Sequence, residues 1–257
     1  MAEFDRQTLN TRASSAAAID EGLRSYMLRV YNYMGIGLVV TGVVAWFAAN
    51  AAVTTNPDAA VGQLRNGTLV TQWGALLFNS PLQWVVMLAP LAFVLVLSFG
   101  INKMKASTAQ LVFWAFAAVM GLSLSSIFLV YTGASIAKVF FITAATFGAM
   151  SLYGYTTKRD LTQFGSFLMM GLFGLIIASV VNMFFPSGPL GFIISIVGVL
   201  IFVGLTAYDT QKIKESYSES HGAELLAKGA IMGALSLYLD FINLFMMMLR
   251  LFGNQRN

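Results

Sequence analysis

Seven runs of apolar residues, at 26–50, 82–102, 109–131, 134–154, 163–185, 191–209 and 228–252, occupy most of this 257-residue chain and are separated by short polar segments. Each is close to the roughly 20 residues a helix needs to cross the hydrocarbon core of a bilayer. Within that core every backbone N–H and C=O must find its partner inside the segment, which leaves helices or closed barrels. The runs are continuous and do not alternate in the strand-like manner of a barrel. The composition agrees: 58% of residues are hydrophobic and only 10% charged, with a mean hydropathy of +0.75, where soluble domains carry about 25% charged residues. The expected fold class is an all-α integral membrane protein of seven transmembrane helices. Residues 1–25 form an N-terminal tail and residues 26–257 the seven-helix membrane domain.

The formal charge of +4 does not point to nucleic acid, because the basic residues are scattered through short loops with no dense stripe of interleaved aromatics. They report orientation instead. Eleven of the 15 Lys and Arg fall on the side of the N-terminus: Arg6, Arg12, Arg24, Arg29, Lys103, Lys105, Lys158, Arg159, Lys212, Lys214 and Lys228. Arg65, Lys138, Arg250 and Arg256 fall on the other. By the positive-inside rule the N-terminus is expected in the cytoplasm and the C-terminus outside. The tail lacks the basic start and short apolar core of a cleaved signal, so the first span is expected to stay as an anchor.

The loop 51–81 is expected outside as a passive connection. Tyr26, Tyr31, Tyr33, Trp84, Tyr131, Tyr153 and Tyr155 lie near span ends, where amphipathic rings anchor at headgroup level. Pro90 lies inside the second span, where it removes a helix hydrogen bond. No cysteine is present and His221 is the only histidine, which excludes thiolate and His-cluster metal sites. Motifs for hydrolases, zinc peptidases and phosphate-binding loops are absent, as is the Gly-x-Gly-Asp context of intramembrane aspartyl proteases, so no enzyme and no resident cofactor is expected.

Two carboxylates stand out. Asp209 lies toward the end of the sixth run and Asp240 deep in the seventh, a window diluted by Gly229, Gly233, Ser236 and Asn243. An ionisable residue within a span is costly, and such residues generally face the bundle interior and mark ion or proton routes. The helical rise of about 1.5 Å per residue allows both side chains to meet in the cytoplasmic half of the bundle. Two carboxyls at hydrogen-bonding distance share a proton and titrate as a coupled pair. Their ionised form suits Ca2+ better than Mg2+, because Ca2+ accepts irregular oxygen geometry. Thr206, Tyr208, Ser236, Tyr238 and Asn243 are the candidate auxiliary ligands. The set falls short of the six to eight oxygens of a tight site, which fits transient Ca2+ occupancy. A structural clasp between the last two spans is the competing reading.

Four stretches carry a resemblance: Gly121-Leu-Ser-Leu-Ser-Ser-Ile-Phe, Phe147-Gly-Ala-Met-Ser-Leu-Tyr-Gly-Tyr-Thr-Thr-Lys-Arg-Asp160-Leu, Gly204-Leu-Thr-Ala-Tyr-Asp209-Thr-Gln-Lys and Gly233-Ala-Leu-Ser-Leu-Tyr-Leu-Asp240-Phe-Ile-Asn-Leu-Phe. Over residues 24–254 the chain resembles the Bax inhibitor-1, or transmembrane Bax inhibitor motif, family, and most of all its bacterial inner-membrane branch. The resemblance implies a last helix enclosed by the other six and a pH-sensitive calcium leak channel or transporter gated by a diaspartyl pair, here Asp209 and Asp240. Calcium ions, protons and the lipid bilayer are the implied partners, and a proton-coupled exchanger is the variant mechanism. The resemblance also implies an alternative, a regulatory membrane protein that binds a membrane-bound AAA protease or another complex and modulates stress or cell death. In some bacterial relatives an arginine of the second span latches the pair. Residues 82–102 hold no Arg or Lys, so Lys103 or Lys105 has to reach inward for a latch of that kind to form. The loop around Asp160 is expected to be a solvated turn that ends the fourth span, with a partner contact as the other reading.

Overall fold

The computed structural model describes residues 2–63 and 67–256, with side chains described from residue 21 onward. Its long elements are α1 (Ala2–Ala52), α3 (Leu82–Gly100), α4 (Ala106–Leu124) continued by α5 (Ile127–Val130), α6 (Gly133–Thr156), α7 (Thr162–Phe184), α8 (Gly188–Glu215) and α9 (Ala223–Phe252). Seven stretches are long and apolar enough to cross a membrane, with α4 and α5 counted as one and the first beginning at Glu21. The chain is an all-α integral membrane protein. Arg6 and Arg12 lie on the stretch of α1 whose side chains are not described, and Arg65 lies outside the described residues.

Helix ends follow local chemistry. Thr132 and Ser187 cap α6 and α8 by accepting from the N–H groups of Ser135 and Leu190, which satisfies donors that have no partner inside the helix. Asp160 Oδ1 accepts from Thr162 N at the start of α7. Hydrogen bonding from the Thr162 side chain, and then from that N–H, holds the exposed Asp160 carboxyl below the ordinary carboxylate range. Helix α8 runs six residues past Asp209, because nothing in Thr210-Gln-Lys-Ile-Lys-Glu215 breaks a helix. This polar extension clasps the preceding turn: Gln211 accepts from Leu161 N and donates to Arg159 O, each at 2.8 Å, and Lys214 Nζ donates to Tyr155 O at 2.7 Å.

The loop 51–81 carries more order than a passive connection. A two-stranded hairpin pairs Gly62–Gln63 with Leu69–Val70, and α2 (Gln72–Phe78) returns the chain to the bundle. Val70 is fully buried. Strands of two residues leave no hydrophobic period to detect. At the same end the C-terminal residues close over the α5–α6 junction, with Thr132 N donating to Asn254 O and Arg256 N to Val130 O.

Helix α9 is central: 67% of its apolar window is buried, against 11% for α3 and 17% for α7. It packs directly on α1, α4, α6 and α8. Helices α3 and α7 stand off from it, each packing chiefly on a single neighbouring span, α4 and α8 respectively. Close approach depends on glycine at Gly121, where a Cβ would run into the Thr41 carbonyl of α1, and at Gly154, where it would overlap the Ala207 carbonyl of α8. Trp84 and Tyr153 are exposed at span ends as interfacial anchors are, but Tyr26 is buried against Tyr217 and Tyr31 donates or accepts within the bundle.

Candidate functional site

Helices α8 and α9 are antiparallel neighbours, and their register is fixed by side-chain contacts. Ile213 packs over Gly233, and one turn further in Ser236 Oγ donates to Asp209 Oδ2 at 2.5 Å. Continuing that register places Asp240 one turn deeper than Asp209, an axial offset of about 5.4 Å. The two carboxyls lie within hydrogen-bonding reach of each other. Asp240 is 6% exposed, and its Oδ2 receives no hydrogen bond from any N–H or hydroxyl among the described residues. A buried oxygen in that state carries the full cost of leaving water, about 1–3 kcal/mol or more.

Both carboxyls line a cavity of about 700 Å³ bounded by α3, α7, α8 and α9. Ser179, Ser236 and Asn243 are its other polar residues, and the rest of the lining is aliphatic, Met or Phe. Residues 236, 239, 240, 243 and 247 line it from α9, the stripe expected of one helical face.

Of the residues proposed from sequence, the structure thus brings together Asp209, Asp240, Ser236 and Asn243. Ser236 bonds Asp209 directly, while Asn243 Nδ2 donates back to Leu239 O. It does not bring Thr206, Tyr208 or Tyr238 to the pair. The Thr206 hydroxyl donates to Phe202 O within α8. The Tyr208 ring packs over Gly165 with Lys212 Nζ 5.9 Å from its centre. Tyr238 lies two positions before Asp240, about 200° round the helix, and its hydroxyl pairs with Thr41 Oγ1 at 2.6 Å. Lys103 and Lys105 are exposed and take no part; the cation that acts on Asp209 is Lys212, three residues along the same helix.

A second cavity of about 630 Å³ opens between α1 and α6, lined by Arg24, Tyr31, Ser151 and Tyr155 among others. On its floor Tyr31 and Ser151 share a hydrogen bond of 2.7 Å, and Ser151 pairs with Thr210 at 2.9 Å. Nothing in the spacing of these three residues marks them in the sequence, since each comes from a different helix. Among the described residues no group of three or more acidic or histidine side chains converges to hold a metal ion. The two carboxyls offer four oxygens, fewer than the roughly six to eight of a tight Ca2+ site.

Seven spanning helices, a buried central last helix and a carboxyl pair on a cavity at its side define a class of polytopic membrane protein. The family model for the inhibitor of apoptosis-promoting Bax1 matches residues 23–257, and the chain belongs to this Bax inhibitor-1 family. It is 46% identical to inner membrane protein YbhL of Escherichia coli K12, over 95% of this chain and 98% of that protein. It is 47% identical to the uncharacterized protein RP147 of Rickettsia prowazekii, over 96% and 97%. The uncharacterized protein YrjE of Lactococcus lactis is 38% identical over 91% and 92%.

Proposed function

We propose that this protein is a non-enzymatic, proton-sensitive calcium pathway of the bacterial inner membrane, with Asp209 and Asp240 as its gate. The single observation that carries the reading is the unpartnered Asp240 Oδ2, buried against the Asp209 carboxyl on a cavity wall. A clasp selected for stability alone would satisfy both carboxyls, because a buried acceptor without a donor destabilises the fold. A carboxyl pair that must alternately hold a proton and a divalent cation cannot have both its oxygens permanently occupied.

In this mechanism a proton shared between the two carboxyls holds α8 against α9 and leaves too little charge to draw a cation. Loss of the proton leaves two like charges side by side, which separate the helices and present up to four oxygens to Ca2+. Ser236 keeps Asp209 oriented through either state. Inner-membrane placement draws on the name of the Escherichia coli relative, and a cytoplasmic N-terminus draws on the bias of Lys and Arg toward that side.

The test is calcium flux into liposomes containing the purified protein across a series of pH values. Wild type is expected to pass Ca2+ with a pH dependence that Asp240→Asn and Asp209→Asn each alter. Equal background flux from wild type and both variants at every pH would reject the pathway. An imposed pH gradient that drives Ca2+ uphill would instead identify an exchanger.

The second reading, docking on a membrane-bound protease, has one supporting feature: the end of the bundle that bears the N-terminus also presents the exposed Lys158, Arg159 and Asp160. Retention of a partner by wild type that is lost on charge reversal at these positions, with flux unchanged, would favour it.

A further inference from the structure

The cavity that ends on the carboxyl pair has a side opening that an aqueous ion route does not need. Leu91 of α3 and Met169, Ile176 and Met183 of α7 line it, and the same side chains are 57%, 40%, 49% and 59% exposed. Lining residues this accessible mark a mouth, so the cavity opens sideways between α3 and α7. These are the two least buried of the seven spans. Its polar groups, Asp209, Ser236, Asp240, Asn243 and Ser179, are set among Leu, Ile, Val, Met and Phe side chains. From Ser236 to Met247 the stripe on α9 covers about 16 Å at the helical rise.

We propose that this cavity is a binding site for a lipophilic organic cation, an ammonium on an alkyl body, which enters from the bilayer and sets its head on Asp209 and Asp240. The two carboxyls that line the cavity meet no Lys, Arg or His on its wall, and an ammonium supplies both the N–H donor and the positive charge they lack there. A neutral amphiphile such as an alcohol can donate one hydrogen bond to a carboxyl but brings no charge to offset the pair. An anionic one places its charge against two carboxyls in a low-dielectric site. The methionine and aliphatic walls adapt to a flexible chain without demanding one shape. The site uses the same carboxyls as the proposed calcium pathway, so occupancy competes with calcium, but binding itself does not depend on any ion passing.

The experiment compares dodecylammonium, dodecanol and dodecanoate for retention by the full-length protein in lipid nanodiscs, read by native mass spectrometry. Wild type is expected to hold dodecylammonium saturably and at least about tenfold more tightly than either analogue, the worth of one charge-assisted hydrogen bond. Asp240→Asn is expected to remove that preference and leave the weak binding of dodecanol unchanged. Ser179→Trp narrows the cavity from α7 and keeps both carboxyls, and it is expected to weaken dodecylammonium and dodecanol alike. Equal retention of all three amphiphiles by wild type overturns the proposal, as does dodecylammonium binding that Ser179→Trp leaves at wild-type strength, even if Asp240→Asn proves unstable. Saturable, ammonium-selective binding in a protein that passes no calcium would uphold this site and reject the leak.

Discussion

Tyr238 and Asp240 stand two residues apart on α9 and live in opposite environments. Tyr238 is fully buried against Phe116 and Phe113, with ring centres 5.1 and 6.2 Å away, in the sealed contact of α9 with α1 and α4. Its hydroxyl is satisfied as well. Thr41 Oγ1 donates to Ala117 O at 2.8 Å, so the Tyr238 hydroxyl donates to Thr41. Asp240 looks the other way, lines a cavity of about 700 Å³ and keeps one buried oxygen, Oδ2, that receives no N–H or hydroxyl among the described residues. One face of the last helix is built to the standard of a protein interior. The other carries a buried polar group at a cost to stability, and such departures from a consistent fold concentrate at functional sites.

That contrast is open to direct attack, beginning with the largest expected effect. Tyr238→Ala empties a well-packed aromatic site and strands Thr41 in the core, and it should destabilise the protein by about 3–5 kcal/mol in detergent melts. A loss below about 1 kcal/mol would mean that the sealed face is not sealed. Ser236→Ala removes the donor to Asp209 and should cost about 1.5–3 kcal/mol at pH values where that carboxyl is ionised. A clear shift in the pH dependence of calcium flux should accompany it. Thr41→Val deletes one neutral bond of the sealed face, costs about 1–2 kcal/mol by leaving the Tyr238 hydroxyl unpaired, and should leave flux untouched. An altered pH profile in Thr41→Val would show that the two faces are coupled.

The smallest effect belongs to a third location, outside the membrane. Asp160 is fully exposed, and hydrogen bonds from the Thr162 side chain and then from Thr162 N keep its carboxyl ionised to lower pH than usual. A depressed carboxyl contributes stability above its ordinary titration range and loses it as pH falls through the folded value. Asp160→Ala should therefore melt slightly below wild type at neutral pH, with the gap closing below about pH 4. A gap of the same size at both pH values would remove the charge from the explanation.

The seven helices were legible because each is a long apolar run, and a run of that length has few alternatives in a bilayer. Asp209 and Asp240 were legible because a carboxylate is rare in such a run. What escaped the sequence depends on which way a side chain points round a helix. Tyr238 and Thr206 lie as near the pair in sequence as Ser236 does, yet only Ser236 has the azimuth to reach Asp209. The apolar run stops at Asp209 while α8 runs on to Glu215, and the bonds by which Gln211 and Lys214 hold the α6–α7 turn leave no mark in the sequence. Lys103 and Lys105, which would have had to reach inward to form a latch, stay exposed, and the cation that acts on Asp209 is Lys212, three positions along the same helix. The stand-off of α3 and α7 from α9 was invisible for a different reason: both have a mean hydropathy of 2.2, below the 2.6 of the half-buried α8, and hydropathy does not distinguish a helix that faces lipid on most sides from one enclosed by protein.

The central claim is that the carboxyl face of α9 is maintained for ion handling at the expense of stability, and Asp240→Leu tests it most directly. Melting temperature and pH-resolved calcium flux should be measured on the same preparation. Replacing an unsatisfied buried carboxyl by an apolar group of similar size should leave stability equal or raised, while flux loses its pH dependence. A protein destabilised by more than about 2 kcal/mol with its flux profile intact would contradict the account and make the pair a structural clasp.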